Sequence, residues 1–138
     1  MFHLVTACIG AFVVWRFILQ LPLGRAARRG LGLAVMLLSQ YHLITRTFFG
    51  TLASPELPRS LLILSGGLFS ALILLAALVL LRDVGLVLWR VAAAVFPSLI
   101  RLSAGGQSRL NAALLAAVAV LAPVGVWQAV RVPSVHTV

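Results

Sequence analysis

The sequence predicts an all-α integral membrane protein: a four-helix bundle with an additional interfacial helix between the third and fourth spans. Three observations predict it. Of 138 residues, 62% are hydrophobic and only 9% are charged, where soluble domains carry about a quarter charged residues. The charges and prolines divide the chain into apolar runs of roughly 20 residues, the length a helix needs to cross a bilayer. The basic residues, all arginines, fall mostly between those runs. A soluble fold of this size would leave roughly a third of its unfolded surface exposed to water, too much to hide this excess of apolar side chains.

The first span covers about 2–23. No basic residue precedes it, so it lacks the n-region of a secretory signal peptide and reads as an uncleaved helix. Arg16 interrupts it in its last third, beside Trp15. An arginine at the bilayer centre costs about 2.5–3.5 kcal/mol on insertion scales and less near an end, so Arg16 is expected to snorkel to the interface. A basic link follows, with Pro22, Gly24, Arg25, Arg28 and Arg29. The second span, about 30–51, holds the most polar stretch of the apolar chain: Ser39, Gln40, Tyr41, His42, Thr45 and Arg46. Polar groups at membrane depth turn toward other helices or the interface. The segment 52–59, with Pro55, Glu56 and Pro58, is a short turn.

The third span, 61–81, is free of charge and is expected to end at Arg82 and Asp83, which read as an interfacial ion pair. Residues 84–100 are apolar but contain Arg90 and Pro97, so an interfacial helix is expected there, with Trp89 at the boundary and Arg90 and Arg101 toward water. Residues 103–107, with Gly105 and Gly106, form a flexible turn into the fourth span, 110–130. That span lies between Arg109 and Arg131, with Asn111 and Gln128 near its ends, a kink at Pro123, and Trp127 at an interface. Residues 1–131 thus form one transmembrane domain, and 132–138 an extended tail or linker.

Four spans with the N-terminus outside place Arg25, Arg28, Arg29, Arg82, Arg90, Arg101 and Arg109 on the cytoplasmic side. Arg46, Arg59 and Arg131 fall outside. The positive-inside rule favours that orientation and puts both ends of the chain outside the cytoplasm. A fifth span over 84–100 would weaken the bias. The net charge of +9 does not point to nucleic acid, because the arginines are dispersed between apolar runs and form no basic stripe. Topology and anionic lipid headgroups account for it better.

The chemistry-bearing residues are few. Cys8 is the single cysteine and reads as a small buried hydrophobe. His3 and His42 fall toward the outer side of different spans, where a bis-histidine haem pair is geometrically open and two isolated polar groups are the plainer reading. His136 lies in the tail and has no assigned role. No histidine–carboxylate pair suggests a triad, and no glycine-rich phosphate loop is present. Arg16, His42 and Arg46 could line a transport path, but no pair of interrupted helices accompanies them. Gly66, Gly67, Ser70 and Ala71 give small-xxx-small pairs that favour close helix packing, and Ala112, Ala113, Ala116 and Ala117 repeat the signal. No catalytic, cofactor-binding or metal-binding residue is expected in this chain.

Several local features stand together. The first helix closes on Trp15-Arg16, followed by Leu21-Pro22-Leu23 and a basic turn. A proline-containing link precedes a Leu-rich helix that closes on Leu80-Leu81-Arg82-Asp83. The last helix runs into Gln128-Ala129-Val130-Arg131-Val132-Pro133-Ser134-Val135-His136-Thr137-Val138. In this pattern the chain resembles the membrane-spanning N-terminal region of bacterial calcineurin-like metallophosphoesterases, where an Arg-x-Pro-x-Val stretch leads into the first strand of the hydrolase domain. That family binds two divalent metal ions through Asp-x-His, Gly-Asp and Gly-Asn-His motifs, none of which occurs here, so no family site residue carries over. The resemblance implies a membrane anchor and positioning domain whose catalytic, two-metal half would follow the C-terminus. The competing expectations are a standalone membrane protein that scaffolds or regulates a partner or self-associates, and a small oligomeric transporter or haem protein.

Overall fold

A computed structural model of the chain describes residues 1–48, 58–96 and 104–131. Among these, every regular element is helical. Three helical segments are long and apolar enough to cross a membrane: Phe2–Gln20, Arg59–Val95 and Gly106–Val130.

Helix α1 spans Phe2–Arg16. Phe17 leaves the helical region at φ −124° and ψ −60°, and a 3-10 turn over Ile18–Gln20 follows. Pro22 bars a helical conformation from its predecessor, and Leu21 is accordingly extended at φ −68° and ψ 143°. The first span therefore ends short of residue 23.

The expected second span is two helices instead of one. Helix α2 spans Arg25–Ser39 and α3 spans Tyr41–Phe48; neither is long enough to cross alone, and residues 49–51 of the expected span lie outside the described residues. The break falls at Gln40, at φ −93° and ψ 13°. Local side-chain bonds compete there with the helical ladder. The Ser39 hydroxyl donates to the Met36 carbonyl at 2.7 Å, and the Gln40 amide donates to Ser39 Oγ at 3.2 Å and to the His3 carbonyl at 3.4 Å. The polar run does turn inward: Ser39 and Thr45 are buried, while Arg46 is exposed.

Helix α4 spans Arg59–Val95 without interruption. Arg82 and Asp83 do not end it, and the interfacial helix expected from residue 84 is its continuation; residues 97–100 lie outside the described residues. Two causes are visible. No proline lies between Pro58 and Pro97, and both charged side chains at 82 and 83 find partners on neighbouring helices. Pro58 sits at the N-cap, where its missing N–H costs nothing.

Helix α5 spans Ala104–Val130. Residues 104–107, expected as a flexible turn, are already helical. Pro123 lies inside the helix, which continues past it.

The packing follows from residue spacing. Thr6, Gly10, Val13 and Phe17 line the buried side of α1 and its end, and Leu72, Ala76 and Val79 that of α4. These steps of three and four keep side chains on one helix face. Gly10 lets α1 and α2 approach closely: a Cβ there would stand 2.8 Å from Ser39 Cβ. Gly67 does the same for α4 and α5, with Val126 Cγ2 at 3.0 Å from its hypothetical Cβ. On α5, Asn111 is buried and Leu114 packs against the core, whereas Ala112, Ala113 and Ala116 face away.

The helix directions are fixed by contacts at two levels. Arg16 pairs with Asp83, and Phe2 and Phe69 share the His42 ring, so α1 and α4 run parallel. Gly67 meets Val126, and Arg82 bonds Asn111, so α4 and α5 run antiparallel. Fourteen or fifteen residues separate the two levels on each helix, about 21–22 Å at 1.5 Å per residue.

Candidate functional site

The charged residues of the helix interiors meet at one place. Arg16 is the last residue of α1, and Asp83 continues the buried stripe of α4 one helical step after Val79. Arg16 Nε donates to Asp83 Oδ2 at 2.6 Å. Arg82 Nε and Nη2 donate to Asp83 Oδ1 at 3.0 and 2.6 Å. Arg82 Nη1 donates to Asn111 Oδ1 on α5. Arg82 Nη2 also donates to the Arg16 carbonyl at 3.1 Å, satisfying one of the carbonyls left open at a helix C-terminus and placing a cation where the helix dipole favours it. Two cations, one carboxylate and one amide thereby join α1, α4 and α5.

Burial explains the partners. The Arg82 side chain is 7% exposed and that of Asp83 is 13%, while that of Arg16 is 36%. A charge withdrawn from water needs a counter-charge and hydrogen bonds. Asp83 thus does pair with Arg82, and it also reaches across to α1. Arg16, expected to snorkel to the interface, is paired with Asp83.

A polar cavity of about 150 Å³ opens beside the cluster, lined by Arg16, Gln20, Arg82, Asp83, Arg90, Gln107 and Asn111 together with Leu86 and Leu110. An apolar groove of about 350 Å³ adjoins it, lined by Leu78, Leu81, Gly85, Trp89 and Leu114, and shares Arg82, Leu86 and Leu110 with the cavity.

The opposite end is aromatic. The His42 ring packs edge-on against Phe2 at 5.1 Å and Phe69 at 4.7 Å between centroids, with Tyr41 at 5.2 Å. His3 lies 6.4 Å from Phe2 and its buried Nδ1 has no partner among the described residues. Arg16 and His42 therefore occupy opposite levels of the bundle, and Arg46 is exposed on α3; the structure does not bring the three together. Gly66, Gly67, Ser70 and Ala71 line two open grooves between α4 and α5. Cys8 is exposed on α1, not buried, because the inward stripe passes through Thr6 and Gly10 instead. Among the described residues no three of His, Cys, Asp or Glu come together. His136 and Arg101 lie outside the described residues.

The arginines separate by end. Arg16, Arg25, Arg28, Arg29, Arg82, Arg90 and Arg109 lie toward the Asp83 end, where Arg28 donates to the Leu19 carbonyl at 3.1 Å. Arg46, Arg59 and Arg131 lie toward the His42 end. Asn111, Gln20 and Gln107 are members of the site that sequence reasoning did not single out. The available signal was the stripe Leu72, Ala76, Val79, Asp83, whose spacing carries the buried face of α4 into the charged pair.

The class these features define is an all-helical protein with, among the described residues, three helices long and apolar enough to cross a membrane and a polar cluster tying them at one end. Comparison with protein-family models, curated proteins and solved structures gives no match.

Proposed function

We propose that the chain is a multi-pass module of the bacterial cytoplasmic membrane that anchors and orients a metal-dependent phosphoesterase domain following Val138. The observation that carries the membrane reading is the separation of arginines to the two ends of an apolar bundle. The charge-free stretches 61–81 and 110–130 are each about 31 Å long at 1.5 Å per residue, matching the roughly 30 Å hydrocarbon core. Large apolar side chains such as Leu64, Leu80, Leu81 and Val120 point outward, as lipid contact requires. Trp15 beside Arg16 and Trp127 beside Arg131, each with the guanidinium 5.4 Å from the ring, suit the two interfaces.

In this reading α2 and α3 together make the fourth crossing, with the Gln40 break inside it. The α4 extension past Asp83 lies at or beyond the cytoplasmic interface. The Asp83 end faces the cytoplasm, since it holds seven of the ten described arginines, and both chain ends lie outside. The phosphoesterase assignment rests on the resemblance of the Arg131-Val132-Pro133 tail and the helix endings.

Two experiments test it. A periplasm-active reporter fused after Val138 is active and a cytoplasm-active reporter is silent; the reverse overturns the topology. The reading frame beyond codon 138 is expected to encode Asp-x-His and Gly-Asn-His motifs; a stop codon there overturns the anchor assignment and favours a standalone scaffold.

A further inference from the structure

We infer that the cavity at the Arg16–Asp83–Arg82 cluster and the groove beside it form one binding site for an anionic phospholipid, with the phosphate in the cavity and an acyl chain in the groove. The inference rests on the membrane reading above.

Charge comes first. Three guanidinium groups, of Arg16, Arg82 and Arg90, face one carboxylate around the cavity, a net charge of +2. Asp83 is already shared by Arg16 and Arg82. Arg90 has no ion pair or hydrogen bond among the described residues, and neither do the Gln20 and Gln107 side chains. The cavity therefore offers one unpaired cation, a second that is half-satisfied at Arg16, and two amides as donors. A phosphate oxygen accepts from all of these. At about 150 Å³ the space is about ten times the ~15 Å³ that one water needs, enough for a hydrated phosphate.

The adjoining groove decides between a free anion and a lipid. It is apolar, holds about 350 Å³, and begins at the cavity wall, because Arg82, Leu86 and Leu110 line both. A polar pocket that continues into an apolar groove matches an amphiphile. Gly85 lines the groove, and a Cβ built there meets nothing within 4 Å, so a larger side chain has open space to enter. Basic pockets between membrane helices on the cytoplasmic side are suited to anionic headgroups, and the cavity lies at the arginine-rich end.

The test uses the full chain purified in dodecyl maltoside, with native mass spectrometry to count retained lipid. The probes are dioleoyl phosphatidylglycerol, dioleoyl phosphatidylcholine and inorganic phosphate. The expected result is retention of phosphatidylglycerol over phosphatidylcholine. Arg90→Gln, which breaks no internal bond, weakens phosphatidylglycerol binding about fivefold, the equivalent of ~1 kcal/mol per arginine near anionic lipid. Gly85→Leu fills the groove and weakens phosphatidylglycerol binding without changing the response to inorganic phosphate. Arg131→Gln, at the far end, leaves binding unchanged. Equal retention of both lipids overturns the inference. So does phosphate binding as tight as that of the lipid with no effect of Gly85→Leu, which identifies a free anion. Extraction of the chain from cell membranes by alkaline carbonate is the separate outcome that defeats the membrane reading itself.

Discussion

Replacing Asp83 by Asn tests whether the cluster holds the bundle together. The substitution preserves shape and removes the only counter-charge that faces Arg16 and Arg82 among the described residues. Three donated bonds at 2.6, 3.0 and 2.6 Å lose their ionic acceptor. The two cations do not suffer equally. Arg82 is 7% exposed, and breaking a buried pair by removing one partner costs about 3–5 kcal/mol. The Arg16 side chain is 36% exposed, so water screens it and its share is below ~1 kcal/mol. The introduced amide keeps one carbonyl acceptor, and Arg82 keeps its bonds to Asn111 and to the Arg16 carbonyl, which offset part of the loss. The expected destabilisation is therefore about 3 kcal/mol, the lower end of the buried-pair range. Arg16→Gln should cost no more than ~1 kcal/mol. The assay is reversible unfolding in mixed micelles of dodecyl maltoside and sodium dodecyl sulfate, followed by tryptophan fluorescence, on both variants and their double. The reasoning is refuted if Asp83→Asn lies within ~0.5 kcal/mol of wild type, the usual spread for an inconsequential surface change, or if Arg16→Gln is the more damaging of the two.

The same unfolding assay checks the packing. Gly10→Ala places a Cβ 2.8 Å from that of Ser39 and should destabilise by about 1–3 kcal/mol, as overpacking does. Gly66→Ala, whose Cβ meets nothing, should be neutral or stabilising by up to ~1 kcal/mol through helix propensity; equal effects would show that α1 and α2 do not meet at Gly10. Phe17→Ala empties the place of a fully buried ring and should cost about 3–5 kcal/mol. Leu88→Ala, at a side chain that points outward, should change stability little, and a larger loss there than at Phe17 would put the core elsewhere.

Composition and the lengths of apolar sequence between charges made the helical class legible, because both can be read along the chain without knowing which helices meet. Helix boundaries were less legible, and each miss has a local cause. A window of hydropathy reads 30–51 as one apolar run. It cannot see that Ser39 and Gln40 direct their hydrogen bonds to the Met36 and His3 carbonyls and so end α2. The same window treats Arg82 and Asp83 as a terminus, since unpaired charges belong at an interface. A charge with partners on two other helices carries no such instruction, and α4 continues through it.

The site was the least legible part, because its members are far apart in sequence: Arg16, Asp83 and Asn111 meet only when three helices choose their faces. Yet its two halves were each half-visible. The step from Leu72 through Ala76 and Val79 lands on Asp83, so the single aspartate of the chain was always going to face its neighbours if α4 continued. Arg16 lies one residue before Phe17 at the inward end of the α1 stripe. Those two facts, with α1 and α4 parallel, bring an inward carboxylate and a cation to the same end of the bundle, where pairing costs far less than leaving either alone. The cluster then does more than neutralise charge. It locks Arg82 onto the α1 terminus and Asn111, so that of the three arginines lining the cavity Arg90, one turn beyond Leu86 on the same face, is the one without a partner among the described residues. In the proposed reading, an arginine held at that position by a continuous helix is what would make the basic end of the bundle a binding site and not merely a basic rim.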